Sequence, residues 1–407
     1  MIEQGIHAFS GKRLLLLQGP IGPFFRRLAR DLIQAGAQVH KVNFNGGDWL
    51  FYPDASNNFR ERMEDWPAYF SALIDRLHID TIILFGDCRP IHEAAHEIAH
   101  RRGIEIGVFE EGYIRPDFVT FERLGVNNHS RIPRFSEFYL ANPVSINEPS
   151  IRVGITFWYA VMWAMLYYFM AGLLKPLFFY YRHHRPLTWL EALPWLRAAW
   201  RKGYYNFVEW DVLPKLTGEL TKSFFLVPLQ VHNDAQIHTH SEFDSVPHFI
   251  EVVMASFAQY APLGAVIVIK HHPLDRGYHD YSKLIQEQAE KLNLHGRCFY
   301  IHDQHLPTLL QHACGVVVVN STVGLSALHH ATPLKVCGNA IYDMAGLTFQ
   351  GTLNDFWKNN LYGKPDDFLL QSFHGYLMQY TQLNGSFYKR LSGTASSTGL
   401  RWIAKEK

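Results

Sequence analysis

Val266-Ile-Val-Ile-Lys-His-His-Pro273 and Val316-Val-Val-Val-Asn-Ser-Thr-Val-Gly324 are two apolar runs of strand length, each ending in polar or small residues. A short continuous apolar run bounded by such residues reads as a buried strand. In an open α/β sheet, ligands bind beyond the carboxyl ends of the strands. Lys270, His271, His272 and Pro273 then stand at one strand end, and Asn320, Ser321 and Thr322 at another. Ser321 and Thr322 are placed to cap a helix that begins near Val323, and the N–H groups at such a start attract phosphate. A lone His-Pro is usually only the start of a loop. Together the two segments read as an anion or nucleotide-phosphate site.

The 407 residues predict two domains with a smaller insertion. Lys plus Arg total 38 against 37 for Asp plus Glu, so net charge gives no argument for a nucleic-acid partner. The four cysteines, Cys88, Cys298, Cys314 and Cys337, form no CxxC pair and read as free thiols of a reducing compartment. Met1-Ile-Glu-Gln-Gly-Ile-His-Ala-Phe9 has neither the basic nor the apolar region of a secretory signal. The expectation is a cytosolic protein, or one on the cytosolic side of a membrane.

Upstream, residues 1–145 alternate strand and helix patterns. Arg13 to Gln18 reads as a strand, residues 24–35 as a helix stopped by Gly36, and Ala37 to Asn43 as a second strand. The loop between them lacks the GxGxxG dinucleotide pattern. Thr81 to Phe85 and Ile104 to Phe109 are further strands, ending in Gly86-Asp87 and Glu110-Glu111-Gly112. Adjacent carboxylates at a strand end raise one another's pKa, and burial raises it further. That produces a general acid or base suited to neutral pH; the competing reading is a solvated loop neutralised by Arg115. Residues 116–140 read as a polar, mixed, basic stretch.

Residues 146–215 are different in character. Ile155 to Leu174 carries no charge and is long enough for a bilayer span. A span would put the two α/β halves on opposite sides of a membrane, and a buried core helix is the other alternative. A helical insertion lying on the membrane surface fits best. Trp and Tyr are frequent there, and Lys175, Arg182, Arg185, Arg197, Arg201 and Lys202 outnumber Glu191, a balance that attracts anionic lipid.

Residues 216–352 repeat the alternation as a second Rossmann-like domain, and 353–407 read as closing helices and a polar tail, some of them crossing back to the first domain. Ser223 to Gln230 is a strand that delivers His232, Asp234, His238 and His240. No zinc signature or fixed third ligand accompanies the histidines. Asp234 suits a catalytic carboxylate better than a metal ligand, and the histidines stay unassigned.

Phe109-Glu-Glu-Gly-Tyr-Ile-Arg-Pro116, Pro228-Leu-Gln-Val-His-Asn-Asp-Ala-Gln236, Lys270-His-His-Pro273 and Asn320-Ser-Thr-Val-Gly324 resemble the capsule polysaccharide synthesis family of Gram-negative bacteria. These are the retaining β-Kdo transferases that build a short Kdo linker on phosphatidylglycerol. The likeness runs from about residue 10 to about residue 350, and the single catalytic module is similar to that of the member adding the first Kdo. The resemblance implies a GT-B-like pair of Rossmann domains facing a cleft. It implies CMP-β-Kdo as donor, CMP as product, and no cofactor or metal. Asp234 would be the nucleophile and Glu110, or Glu111, the acid/base. His272-Pro273 and Ser321-Thr322 match the family elements that hold the CMP phosphate, and Lys270, His271 and Asn320 at the same strand ends are read as part of that site. The acceptor would be phosphatidylglycerol or its lyso form, reached by a peripheral protein on the cytoplasmic face of the bacterial inner membrane. The linker-extending Kdo transferase and the capsule export machinery would be partners, and nucleic acid would not. A linker-extending transferase, a transferase for another nucleotide sugar and a non-enzymatic export scaffold stay open as alternatives.

Overall fold

The structure is a computed structural model that describes residues 5–54, 57–144, 150–182, 192–232 and 241–402. The chain divides into two compact units. The first comprises residues 1–131, 144–188 and 374–407; the second comprises 132–143 and 189–373. The stretch 146–215, expected as one insertion, is thus shared between the units. Residues 353–373 belong to the second unit, and the chain returns to the first from 374.

The first unit is built on a seven-stranded sheet in the order β12-β6-β5-β4-β1-β2-β3. Its strands are β1 Arg13–Leu16, β2 Gln38–Asn43, β3 Asn57–Asn58, β4 Thr81–Phe85, β5 Glu105–Glu111, β6 Phe118–Arg123 and β12 Gln382–Asn384. β1 to β5 pair in parallel, while β6 runs antiparallel to β5 and to β12. Alternate side chains leave opposite faces of a strand, and both faces here are buried. Leu14, Leu16, Ile83 and Phe109 pack into one apolar cluster. Leu15, Leu17, Ile82 and Val108 pack into the other. This is why the strands read as continuous apolar runs rather than alternating ones. Each such side chain contributes roughly 1.5–3 kcal/mol of transfer free energy.

The second unit holds a five-stranded parallel sheet in the order β11-β10-β7-β8-β9. Its strands are β7 Phe224–Pro228, β8 Val266–Lys270, β9 Cys298–Ile301, β10 Gly315–Val318 and β11 Leu334–Val336. In both units the first strand is central, the next two lie to one side, and the fourth returns to its other side. That is the Rossmann order, and the switch point falls between β1 and β4 in one unit and between β7 and β10 in the other.

The uncharged stretch forms the helix Phe157–Leu173 of the first unit. Among the described residues, no helix is long and apolar enough to cross a membrane. One face of this helix is bound to the unit. Tyr167 and Ala171 are buried, and Asn45 donates to the Tyr167 hydroxyl at 2.7 Å. Gly46 and Gly47 permit the approach. A Cβ on Gly46 would lie 2.3 Å from the carbonyl oxygen of Met170, and one on Gly47 2.4 Å from the Tyr167 ring. The opposite face is bare: Trp158 is 72% exposed and Phe169 56%.

Candidate functional site

In the first unit, the carboxyl ends of β1, β4 and β5 bring Gln18, Gly86-Asp87-Cys88-Arg89 and Glu110-Glu111 to one edge. Gly86 turns the chain with φ of 68°, where glycine carries no steric penalty, and its N–H donates to Phe109 O at 2.9 Å. Arg89 crosses the switch point, donating from Nη1 to Gln18 Oε1 at 2.9 Å. Gln18 Nε2 donates in turn to the Tyr181 hydroxyl at 2.8 Å. Asp87 is buried and accepts from the Val126 N–H at 3.0 Å, with His129 Nδ1 at 3.1 Å from the same oxygen.

Glu110 and Glu111 are the last two residues of β5, paired with Thr120 and Val119 of β6, not members of a loop beyond the strand. Burial pushes the Glu110 carboxyl up to about 7. The Glu111 N–H, donating at 2.9 Å, opposes that shift; the charge of Glu111 adds to it, Arg89 opposes it and Asp87 adds to it. Glu111 accepts from the Tyr388 hydroxyl at 3.0 Å. Burial thus tunes Glu110 to exchange a proton near neutrality.

In the second unit, Gln230 follows β7 and Asn320 follows β10. They meet across the switch point, with Gln230 Nε2 donating to Asn320 Oδ1 at 3.0 Å. Ser321 Oγ accepts from the N–H of Val323 at 3.2 Å, and Thr322 sits at the N-cap of the helix Val323–His329 without a side-chain cap bond. The hydroxyl of the buried Tyr342 donates to the Ser321 carbonyl. Gly324 is needed for that contact, because a Cβ there would lie 2.3 Å from the same hydroxyl.

The Lys270-His-His-Pro273 segment divides in its roles. Lys270 is buried, and Nζ donates to His302 O at 2.9 Å; burial pushes its pKa down to about 8 against the pull of Asp303 and Glu209. His271 is buried beside the Tyr300 hydroxyl, with Nδ1 at 2.6 Å from it, and burial pushes its pKa down to about 4. His272 is half-buried, and its Nδ1 accepts from the Leu274 N–H at 3.2 Å. That bond places the ring's proton on Nε2 in the neutral form. Pro273 is exposed. The strand ends therefore gather Gln230, His272, Asn320, Ser321 and Thr322 at the edge where a Rossmann sheet takes its ligand. Asp234, His238 and His240 lie outside the described residues.

Several participants escaped the sequence reading. Gln18, Arg89, Gln230 and Asp275 are ordinary polar residues until the sheet order places them. Asp275 is fully buried and accepts from the His232 N–H at 3.2 Å, from His232 Nδ1 and from the Tyr281 hydroxyl at 3.3 Å. Among the described residues, two sets of side chains bring ligand-type atoms within 4.8 Å of one another: Asp87, Cys88 and His129, and His232, Asp275 and His279. In the first set, burial and Asp87 push the Cys88 thiol up to about 12, which makes it a poor thiolate donor. A cavity of about 590 Å³ lies at the other end of the second sheet, lined by Ser223, Ala265, Cys314 and Pro333 just before their strands begin.

Residues 80–388 match the family of capsule polysaccharide biosynthesis proteins. The chain is 43% identical over 389 residues to the capsule polysaccharide export protein KpsS of Escherichia coli, covering 93% of this chain and 97% of that one. The chain belongs to the capsule polysaccharide biosynthesis protein family. A second relative is the capsule polysaccharide modification protein LipB of Neisseria meningitidis serogroup A, 38% identical over 396 residues, with 94% of this chain and 93% of that one covered. Among solved structures, the Thermosulfurimonas dismutans KpsC β-Kdo 2,7 transferase aligns over 92% of each chain at 16% identity with a TM-score of 0.42. The part matching the capsule family runs from just before β4 to just past Phe387, so it takes in Asp87, Glu110, His272 and Ser321.

Proposed function

We propose that this member of the capsule family is a retaining glycosyltransferase that moves β-Kdo from CMP-β-Kdo to phosphatidylglycerol or its lyso form, starting the capsule polysaccharide linker. The observation that carries the reading is Glu110, a carboxyl at a parallel strand end whose burial raises its pKa to about 7. A general base of that strength can take the proton of an acceptor hydroxyl at neutral pH.

The reaction runs in two displacements. In the first, the Asp234 carboxylate attacks the anomeric carbon of Kdo, and the bond from that carbon to the CMP phosphate oxygen breaks. The leaving phosphate carries the charge away and is met by His272 Nε2–H, by the Ser321 and Thr322 hydroxyls and by the amides that follow them. In the second, Glu110 takes the acceptor hydroxyl proton, the oxygen attacks the same carbon, and Asp234 departs as carboxylate. Two inversions leave the configuration retained. Lys270 and His271 support the donor loop from within, and Asn320 fixes the loop that carries Ser321. The role of Asp234 rests on the motif resemblance, and that of Glu110 also on its surroundings. The chemistry calls for no cofactor or metal.

A lipid acceptor gives the exposed apolar residues of 155–180 a purpose. Phe157, Trp158, Met165, Phe169, Leu173 and Phe179 are all exposed, and a cluster of large bare apolar side chains is the mark of an interaction surface. A peripheral protein at the cytoplasmic face of the inner membrane would seat this face in the headgroup region. The test is incubation of purified protein with CMP-Kdo, with and without phosphatidylglycerol, followed by the mass of the lipid. Gain of one Kdo supports the reading, and gain of several points to linker extension. CMP bound but never released on adding lipid favours a non-enzymatic export scaffold; export is the word in the name of the Escherichia coli relative.

A further inference from the structure

A second apolar surface is tied directly to the loop that carries His272. The helix Ala192–Val208 of the second unit seats one face on residues 276–280. Arg197 Nε donates to Gly277 O at 2.5 Å, and Arg201 Nη1 to Arg276 O at 2.8 Å. Arg201 Nη2 also reaches Asp280 Oδ2 at 3.3 Å. Tyr205 stacks on His302 with ring centroids 3.4 Å apart. Just past the helix, the buried Glu209 accepts from His302 Nδ1 at 2.6 Å and from the His302 N–H at 3.0 Å. Positions 197, 201, 205 and 209 recur every fourth residue, so they share one helical face. The fit is close, since a Cβ on Gly277 would lie 2.2 Å from Pro194 O.

The opposite face is exposed and apolar. Leu196, Trp200 and Phe207 line it, Phe207 at 79% exposure, and Trp210 follows beyond its end at 75%. Residues 192–208 include three basic side chains and no acid. Arg197 and Arg201 are spent on the loop, while Lys202 is exposed. Trp, Tyr and aliphatic residues together with the exposed Lys202 and no acid within the helix give the composition of a helix lying in a headgroup layer.

We propose that a lipid surface bearing anionic headgroups occupies this face, and that seating the helix there orders the loop 272–280, so that the donor side of the site is completed at the membrane. The inference rests on the membrane reading above and adds a regulation to it. A ligand that binds only the seated helix shifts every equilibrium linked to that seat. The loop is so linked, because the arginines hold its carbonyl oxygens and Glu209 holds the strand end beside Lys270. Arg197, Arg201, Tyr205 and Glu209 are positioning residues in this scheme.

The test uses the full chain, vesicles of equal phosphatidylglycerol and phosphatidylcholine, and vesicles of phosphatidylcholine alone. Flotation reads partition, and amide hydrogen exchange reads residues 270–282. Wild-type protein is expected to float with the anionic vesicles, and exchange in 270–282 to slow by roughly threefold or more. Arg201→Ala, a change at a partly exposed side chain that leaves the apolar face intact, is expected to float equally while losing the slowing. Trp200→Glu is expected to lose the slowing as well. Flotation without slowing in the wild type overturns the coupling and leaves the membrane reading standing. Failure to float overturns the membrane reading itself. Slowing retained in Arg201→Ala, or equal slowing on phosphatidylcholine alone, overturns the proposal as stated.

Discussion

Gln230 donates to Asn320 at 3.0 Å, tying the loop after the first strand of the second sheet to the loop after its fourth. Gln18 and Arg89 make the corresponding bond at 2.9 Å in the first unit. Each switch point is thus closed by a side-chain amide reaching over the crevice where a Rossmann sheet receives its ligand. Asn320→Ala removes the tie next to Ser321. CMP affinity, followed by titration calorimetry, is expected to fall roughly tenfold, the size of one lost hydrogen bond. Gln230→Ala should weaken binding similarly, and the double variant should lose less than the sum, because both changes break the same bond.

Glu110→Gln should reduce turnover by roughly 10²–10⁴-fold while sparing CMP binding. The unprotonated carboxyl is the working form, so the wild-type rate should climb as pH passes through about 7. The variant should lose that limb. Stability should move the other way. Between the ordinary value of 4.5 and about 7, the folded protein holds a proton that the unfolded chain has released. Stability therefore falls as pH rises across that window. Denaturant titrations at several pH values should show this slope in the wild type and its loss in Glu110→Gln.

Gly47→Ala places a methyl group against the Tyr167 ring, and Gly46→Ala against the Met170 carbonyl oxygen. Both neighbours are held within the unit, so neither can retreat cheaply. A loss of roughly 1–3 kcal/mol is expected for each, the usual cost of overpacking, read as a lowered Tm. Ala at Gly172, where nothing lies within 4 Å of the added carbon, is the control that should not destabilise.

The exposed residues of the same helix should behave oppositely. Trp158→Glu with Phe169→Glu is expected to leave Tm unchanged and to weaken flotation with anionic vesicles. Unchanged flotation with these changes and with Trp200→Glu combined would remove the membrane from the account. Point changes are the sharper tool here, because deleting 155–181 would also strip Tyr167 and Phe178 from the unit's interior.

The strands at the centre of both sheets were plain in the sequence because they are buried on both faces and so read as unbroken apolar runs, Leu14 to Leu17 and Val316 to Val319 being the clearest. β6 and β12 were not. Phe118-Val-Thr-Phe-Glu-Arg123 lies in a stretch dominated by polar and basic residues, and Gln382–Asn384 is a three-residue strand made only by pairing with β6. Without them the competing reading of Glu110 in a solvated loop stayed open, where pairing with Thr120 of β6 holds it in the strand. The motif residues His272 and Ser321 were legible from their place after apolar runs. The inward commitment of Lys270 and His271 was not, because it depends on Tyr300 of the neighbouring strand and on His302 just beyond its end. Asp275 and Glu209 carry no signal at all until the fold buries them.

The first unit takes its last strand from residues 382–384, and Asp31 in its first long helix is satisfied by Thr398, whose N–H donates at 2.8 Å and whose hydroxyl donates at 2.6 Å. The first unit therefore cannot close until residues 382–398 have been made, after all of residues 132–373. The second unit, drawn mainly from an unbroken run, is complete first, which inverts the usual vectorial order of folding. During that wait β6 offers an open strand edge and the helix Phe157–Leu173 is fully made. Nicking the chain near residue 374 would therefore undo its beginning rather than its end.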